Sequence, residues 1–181
     1  MNTNKKILSM GVILLLAGVT AALISFAPSK ILQYLFVLMS LTVGILGIAL
    51  GKSTKGVLMR STYYSWTGFV MIGLSVALVV WASSLTALIN VLGFFLLIIG
   101  FIEFVFVLQI LNYHTPIPWK VVGLKLTLSA TSAIGAASIL TIAGFDGYMA
   151  LLVLGLLFVT IGLTFIQISR VTNESDSSVS V

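Results

Sequence analysis

Six long apolar stretches fall between short polar breaks, and that pattern commits the chain to a membrane. They run Ile7 to Ala27, Ile31 to Gly51, Trp66 to Trp81, Leu85 to Leu111, Val121 to Ile142 and Tyr148 to Ile168. A helix rising about 1.5 Å per residue needs about 20 residues to cross about 30 Å of hydrocarbon, and most of the stretches are that long. The third reaches it only if Ser61 to Ser65 extend it.

Composition agrees with the pattern. The chain is 60% hydrophobic and 7% charged, with a mean hydropathy of +1.24, far from the balance of a soluble domain. The longest polar segments, Lys52 to Thr62, Asn112 to Lys120 and Val171 to Val181, are each too short to bury a core. The reading is therefore an all-α integral membrane protein of six transmembrane helices over residues 1–170, with a flexible cytoplasmic tail at 171–181. Cysteine is absent, which removes disulfides, thiolate metal sites and thiol nucleophiles. Lys5 and Lys6 before an apolar run mimic a secretory signal, but the run ends Ser25-Phe26-Ala27-Pro28 without a small-x-small cleavage site and reads as a retained first span.

Charge placement gives the orientation. With six crossings, Lys5, Lys6, Lys52, Lys55, Arg60, Lys120 and Arg170 lie on one side, whereas the opposite side has Lys30 and Asp146. The positive-inside rule then places both termini in the cytoplasm of an inner-membrane protein. The net charge of +5 is a topology signal, since these cations are scattered at membrane borders, and nucleic acid is not an expected partner. The expected partners are the lipid bilayer, a second copy of the chain or another membrane protein.

The connections alternate in length. Tight turns at Pro28-Ser29-Lys30, Ala82-Ser83-Ser84 and Ala143 to Gly147 alternate with loops of about ten residues, which divides the chain into three hairpin repeats at about 7–51, 62–111 and 119–170. Gly44, Gly100 and Gly162 recur before the end of each hairpin's second helix, related by shifts of 56 and 118 residues. Small residues also keep to single helix faces, as in Gly11 and Gly18, Gly93 and Gly100, Gly155 and Gly162, and Gly47 and Gly51. The fifth span has the densest set, Ser129, Ala133, Ala137 and Thr141 at successive fours with Ser132 and Ala136 beside them, and is expected to be the most enclosed. Lipid provides little hydrophobic drive between helices, so close approach along such faces holds a bundle together.

The repeated hairpins, with the leucine-rich helix Leu92-Gly93-Phe94-Phe95-Leu96-Leu97-Ile98-Ile99-Gly100-Phe101-Ile102-Glu103-Phe104, resemble the short-repeat bacterial membrane protein family typified by the acid-resistance membrane protein HdeD. The resemblance covers all six spans and is strongest in the second hairpin, which Trp66-Thr67-Gly68 opens and Gly100-Phe101-Ile102-Glu103 closes. It implies a polytopic membrane architecture and a part in acid or other stress tolerance, and it names no molecular activity.

Glu103 is the one carboxylate inside a span, where ionisable groups cost about 2.5 to 3.5 kcal/mol on insertion scales. It lies eight residues before Leu111, about 12 Å from the border. Lys125 lies six residues after Trp119 on the next, antiparallel helix, about 9 Å deep, so the two can meet. Three readings stand: a buried pair joining the fourth and fifth helices, a protonatable or substrate-contacting site, and snorkelling or an oligomer contact. Gln33, Asn90, Gln109 and Gln167 sit near span ends and read as interfacial. His114, in a loop with Pro116 and Pro118, reads as solvent-exposed, and Asp146 as a turn or cap residue. Trp66, Trp81, Trp119, Tyr63, Tyr64, Tyr113 and Tyr148 fall at span borders and suit an aromatic belt.

The chain has no His-Glu-x-x-His helix, Gly-x-Ser-x-Gly elbow or Walker loop, so no enzyme, cofactor or metal is expected. The expected function is structural or interactive, with a small transporter or channel as the alternative.

Overall fold

The computed structural model describes residues 3–23, 29–54, 58–113, 119–141 and 147–178. These form α1 (Thr3–Leu23), α2 (Ser29–Ser53), α3 (Leu58–Trp81), α4 (Leu85–Tyr113), α5 (Trp119–Thr141) and α6 (Gly147–Ser178). All six are long and apolar enough to cross a membrane. The apolar part of α3 begins at Ser61, which supplies the length that Trp66 to Trp81 lacks. Helix α6 continues to Ser178, into the segment read from sequence as a tail. Pro28, Lys55, His114, Pro116, Pro118 and Asp146 lie outside the described residues, as do the side chains of Arg60 and Tyr113.

Local chemistry explains how polar residues fit such helices. The hydroxyls of Thr20, Ser40, Thr42, Thr67 and Thr131 each donate to the carbonyl four residues back, so none needs water. Between α3 and α4 the chain turns tightly, as expected at Ala82-Ser83-Ser84. The Ser84 hydroxyl caps α4 by accepting the Ala87 N–H at 3.2 Å.

The helices alternate in direction and close into a ring. Neighbours in sequence touch, but the most extensive packing joins α1 to α6, α2 to α3 and α4 to α5. The pairs α1–α2, α3–α4 and α5–α6 are packed more loosely, while α4 also reaches α6 and α2. Phe36 of α2 and Phe158 of α6 meet with ring centroids 5.5 Å apart.

Glycine sets each of the three close seams. A Cβ at Gly44 would lie 3.0 Å from both the Gly68 carbonyl oxygen and the Ile72 nitrogen. At Gly100 it would lie 3.1 Å from both the Ser129 carbonyl oxygen and the Ala133 nitrogen. At Gly162 it would lie 2.6 Å from the Gly11 carbonyl oxygen and 2.5 Å from the Leu15 nitrogen. In every case the nitrogen belongs to the residue four positions after the carbonyl, so the three seams make the same contact. Backbones approach this closely only where no side chain intervenes.

Two packing expectations are corrected. On α5 the buried residues include Lys125, Leu128, Ser129, Ser132, Ala136 and Ile139, while Ala133 is half-buried and Ala137 and Thr141 are exposed. Steps of four overshoot a 3.6-residue turn by about 40° each, so the row from Ser129 to Thr141 winds off the face that starts it. Nor is α5 the most enclosed helix. That is α6, whose backbone comes close to α1, α5 and α4, whereas the backbone of α5 comes close to α4 and α6 alone.

Gly162→Ala is expected to lower stability by about 1 to 3 kcal/mol, because its methyl group would push against backbone. Gly123→Ala, where a Cβ meets nothing within 4 Å, should be neutral or stabilise by up to about 1 kcal/mol through helix propensity. Thermal unfolding in detergent distinguishes them, and equal midpoints for the two variants would remove the seam glycine from the account.

Candidate functional site

Depth counting along α4 and α5 brings Glu103 and Lys125 to the same level, and the structure places them in contact. Lys125 Nζ lies 2.7 Å from Glu103 Oε2, the one ion pair among the described residues. A third helix completes the site. Tyr63 of α3 donates its hydroxyl hydrogen to Glu103 Oε1 and accepts from Lys125 Nζ at 2.8 Å. The three side chains thus form a closed triangle of hydrogen bonds, and all are buried, at 1% exposure for Glu103, 3% for Lys125 and 4% for Tyr63.

Aromatic rings enclose the cation. Lys125 Nζ lies 3.9 Å from the centroid of the Tyr63 ring, 5.0 Å from Phe106 and 5.7 Å from Phe165. Tyr63 and Phe106 stack with centroids 4.2 Å apart. An ammonium over aromatic faces gains from their quadrupoles, most when desolvated, so the cage offsets part of the lost hydration. About one turn deeper, the Ser129 hydroxyl donates to the Gly100 carbonyl oxygen at 2.7 Å, tying α4 to α5 again.

Charge balance determines what this arrangement can do. Each carboxylate oxygen accepts one hydrogen bond, the phenol both donates and accepts, and the ammonium has two partners and three aromatic neighbours. Charges left unpaired in a low-dielectric interior are expensive, and here they are matched across α3, α4 and α5. A groove of about 250 Å³ between α3 and α4 runs past Tyr63 and Phe106, with Trp66, Phe101 and Gln109 along it.

Tyr63 and Tyr64 are therefore not belt residues. Both are buried, whereas Trp66, Trp81, Trp119 and Tyr148 are exposed. The clue to Tyr63 was the shortness of the third apolar stretch, since extending it into a full span carries Tyr63 inside. Gln33 also does more than sit near an end: its amide donates to the Leu78 carbonyl oxygen of α3 at 2.6 Å. No group of three or more His, Cys, Asp or Glu side chains able to hold a metal occurs among the described residues.

The chain matches no family model, no curated protein and no solved structure.

Glu103→Gln should destabilise by about 3 to 5 kcal/mol, because it leaves the Lys125 ammonium buried without a counter-charge. Combining it with Lys125→Met is expected to recover much of that loss, and Tyr63→Phe should cost about 1 to 3 kcal/mol. A thermodynamic cycle on the single and double variants measures the coupling, and additive losses would contradict the triangle.

Proposed function

We propose that this chain is a multi-pass inner-membrane protein built of three repeated helical hairpins. In this reading it is a structural or interaction protein of acid or other stress tolerance, without catalysis, as its resemblance to the HdeD type implies. Insertion is supported by the apolar surface: Leu23, Leu38, Phe69, Val79, Phe101, Ile134 and Leu156 are all exposed, more than a protein facing water tolerates. The repeat is supported by Gly44, Gly100 and Gly162 making one contact on Gly68, Ser129 and Gly11. Orientation is supported by Lys6, Lys52, Lys120 and Arg170 gathering at one end of the alternating helices, with Lys30 at the other.

One observation carries the structural reading over the transporter alternative: the buried charges bind one another. Glu103 and Lys125 neutralise each other's charge, and both carboxylate oxygens are engaged. Between α1, α2, α3 and α6 the interior narrows to a void of about 10 Å³ among Leu14, Phe36, Met71, Leu74 and Phe158, at the lower limit for a single water and apolar besides. Triangle and seams together act as a clamp that gives the bundle one shape to present to a membrane partner.

Two measurements test the reading. Single cysteines replacing Ser53 and Ser84 in this cysteine-free chain can be treated with an impermeant thiol reagent outside intact cells. Labelling at Ser84 and protection at Ser53 are expected, and the reverse would overturn the orientation. In a strain lacking the gene, the Glu103→Gln/Lys125→Met variant is expected to restore acid survival as the wild type does. Stable expression without rescue would favour a proton-linked or transport role, and no acid sensitivity on deletion would remove the acid-tolerance part.

A further inference from the structure

The same seam contact gives the three hairpins a common register, and that register singles out one groove. Gly68 of α3 and Ser129 of α5 make equivalent contacts, so the offset between those helices is 61 residues. It carries Thr62, Tyr63 and Trp66 onto Gly123, Leu124 and Thr127. The first three line the α3–α4 groove, and the second three line a groove between α5 and α6. A cleft thus lies at the same level twice, along α3–α4 and along α5–α6, with different walls. Between α3 and α4 the cleft is narrowed by aromatic rings; between α5 and α6 it is about 490 Å³ and is completed by Lys120, Gln167 and Arg170.

We infer that the α5–α6 groove binds the headgroup of an anionic phospholipid, with Lys120 and Arg170 on its phosphate and an acyl chain running along the cleft past Leu124. The two cations come from different helices and line one space at the membrane border, the level at which a bilayer presents phosphates. Gln167 adds an amide donor. The Thr127 hydroxyl hydrogen is already donated to the Gly123 carbonyl oxygen at 3.0 Å, so this side chain shapes the wall and does not donate to the anion. Gly123 provides the room, since a Cβ there would meet nothing within 4 Å. Lys120 stands in the first turn of α5, whose positive dipole end favours the same anion. Guanidinium and ammonium together suit a phosphate, the first as a planar fork and the second as a point charge.

This inference rests on membrane insertion with that end of the bundle at the lipid border, and the experiment separates the two ideas. Resistance of the chain to carbonate extraction from membranes tests insertion alone, and release into solution would overturn both. For the purified protein in neutral detergent, phosphatidylglycerol is expected to raise the thermal midpoint by about 5 °C, with phosphatidylcholine or inorganic phosphate having little effect. Lys120→Gln with Arg170→Gln should abolish the rise while leaving the lipid-free midpoint in place. Gly123→Leu should abolish it as well, with both charges retained, and Lys30→Gln at the opposite end should keep it. An equal rise with phosphatidylcholine, a rise with phosphate alone, or a phosphatidylglycerol effect that survives both the double variant and Gly123→Leu would overturn the site. A carbonate-resistant chain with no phosphatidylglycerol effect would overturn the site and leave insertion standing.

Discussion

The whole arrangement depends on backbone meeting backbone at three seams. Apolar surface gains little by leaving lipid for protein, so helices in a bilayer hold together through contact distance. Gly44, Gly100 and Gly162 permit that distance, each letting an even-numbered helix settle onto the carbonyl of an odd-numbered one. The closest pairs are therefore not α1–α2, α3–α4 and α5–α6. Instead α2 packs on α3, α4 packs on α5, and α6 packs on α1 to close the ring. Because the seams use up the close contacts, the α3–α4 and α5–α6 faces stay looser, and a groove runs along each.

The charged triangle breaks this threefold regularity. One seam, between α4 and α5, carries Glu103 and Lys125, and Tyr63 reaches across the loose α3–α4 face to join them. A purely apolar site of the same volume would often be as stable. The gain is in specificity: a displaced α3, or a shift of α5 along α4, would leave a charge or hydroxyl unsatisfied in an apolar interior. For a protein proposed to offer a fixed surface to a partner, a single well-defined arrangement is the useful property. The rings of Phe106 and Phe165 around the ammonium serve the same end by excluding other positions for it.

Much of this was legible in the chain, for reasons that also mark the limit. Hydropathy located six helices because crossing length is a one-dimensional quantity. Depth from the span borders put Glu103 and Lys125 within reach because antiparallel neighbours share a depth scale. The second-helix glycines stood out by their spacing, yet the partners Gly68, Ser129 and Gly11 did not, since spacing along one helix is silent on which neighbour it meets. Tyr63 reads as a border residue in sequence because the third apolar run becomes continuous only at Trp66. Ala137 reads as a packing residue because a row at successive fours looks straight in sequence, whereas on the helix it is a spiral that leaves Ala137 exposed. That α1 closes on α6 was not readable at all from residues at opposite ends of the sequence.

Ring closure is accordingly the claim on which the account most depends, and a disulfide measures it directly. A Cβ at Gly155 on α6 would stand 3.1 Å from the Ala22 Cβ of α1 and 2.8 Å from the Gly18 carbonyl oxygen, and the small separation of the helices that relieves the backbone contact also brings the two Cβ atoms toward disulfide spacing. In this cysteine-free chain, Ala22→Cys with Gly155→Cys should form an intramolecular disulfide under mild oxidation in membranes, joining the first helix to the last. The link can be read as resistance to separation after cleavage between α2 and α3. Membrane-inserted protein whose two halves still part completely would contradict the ring.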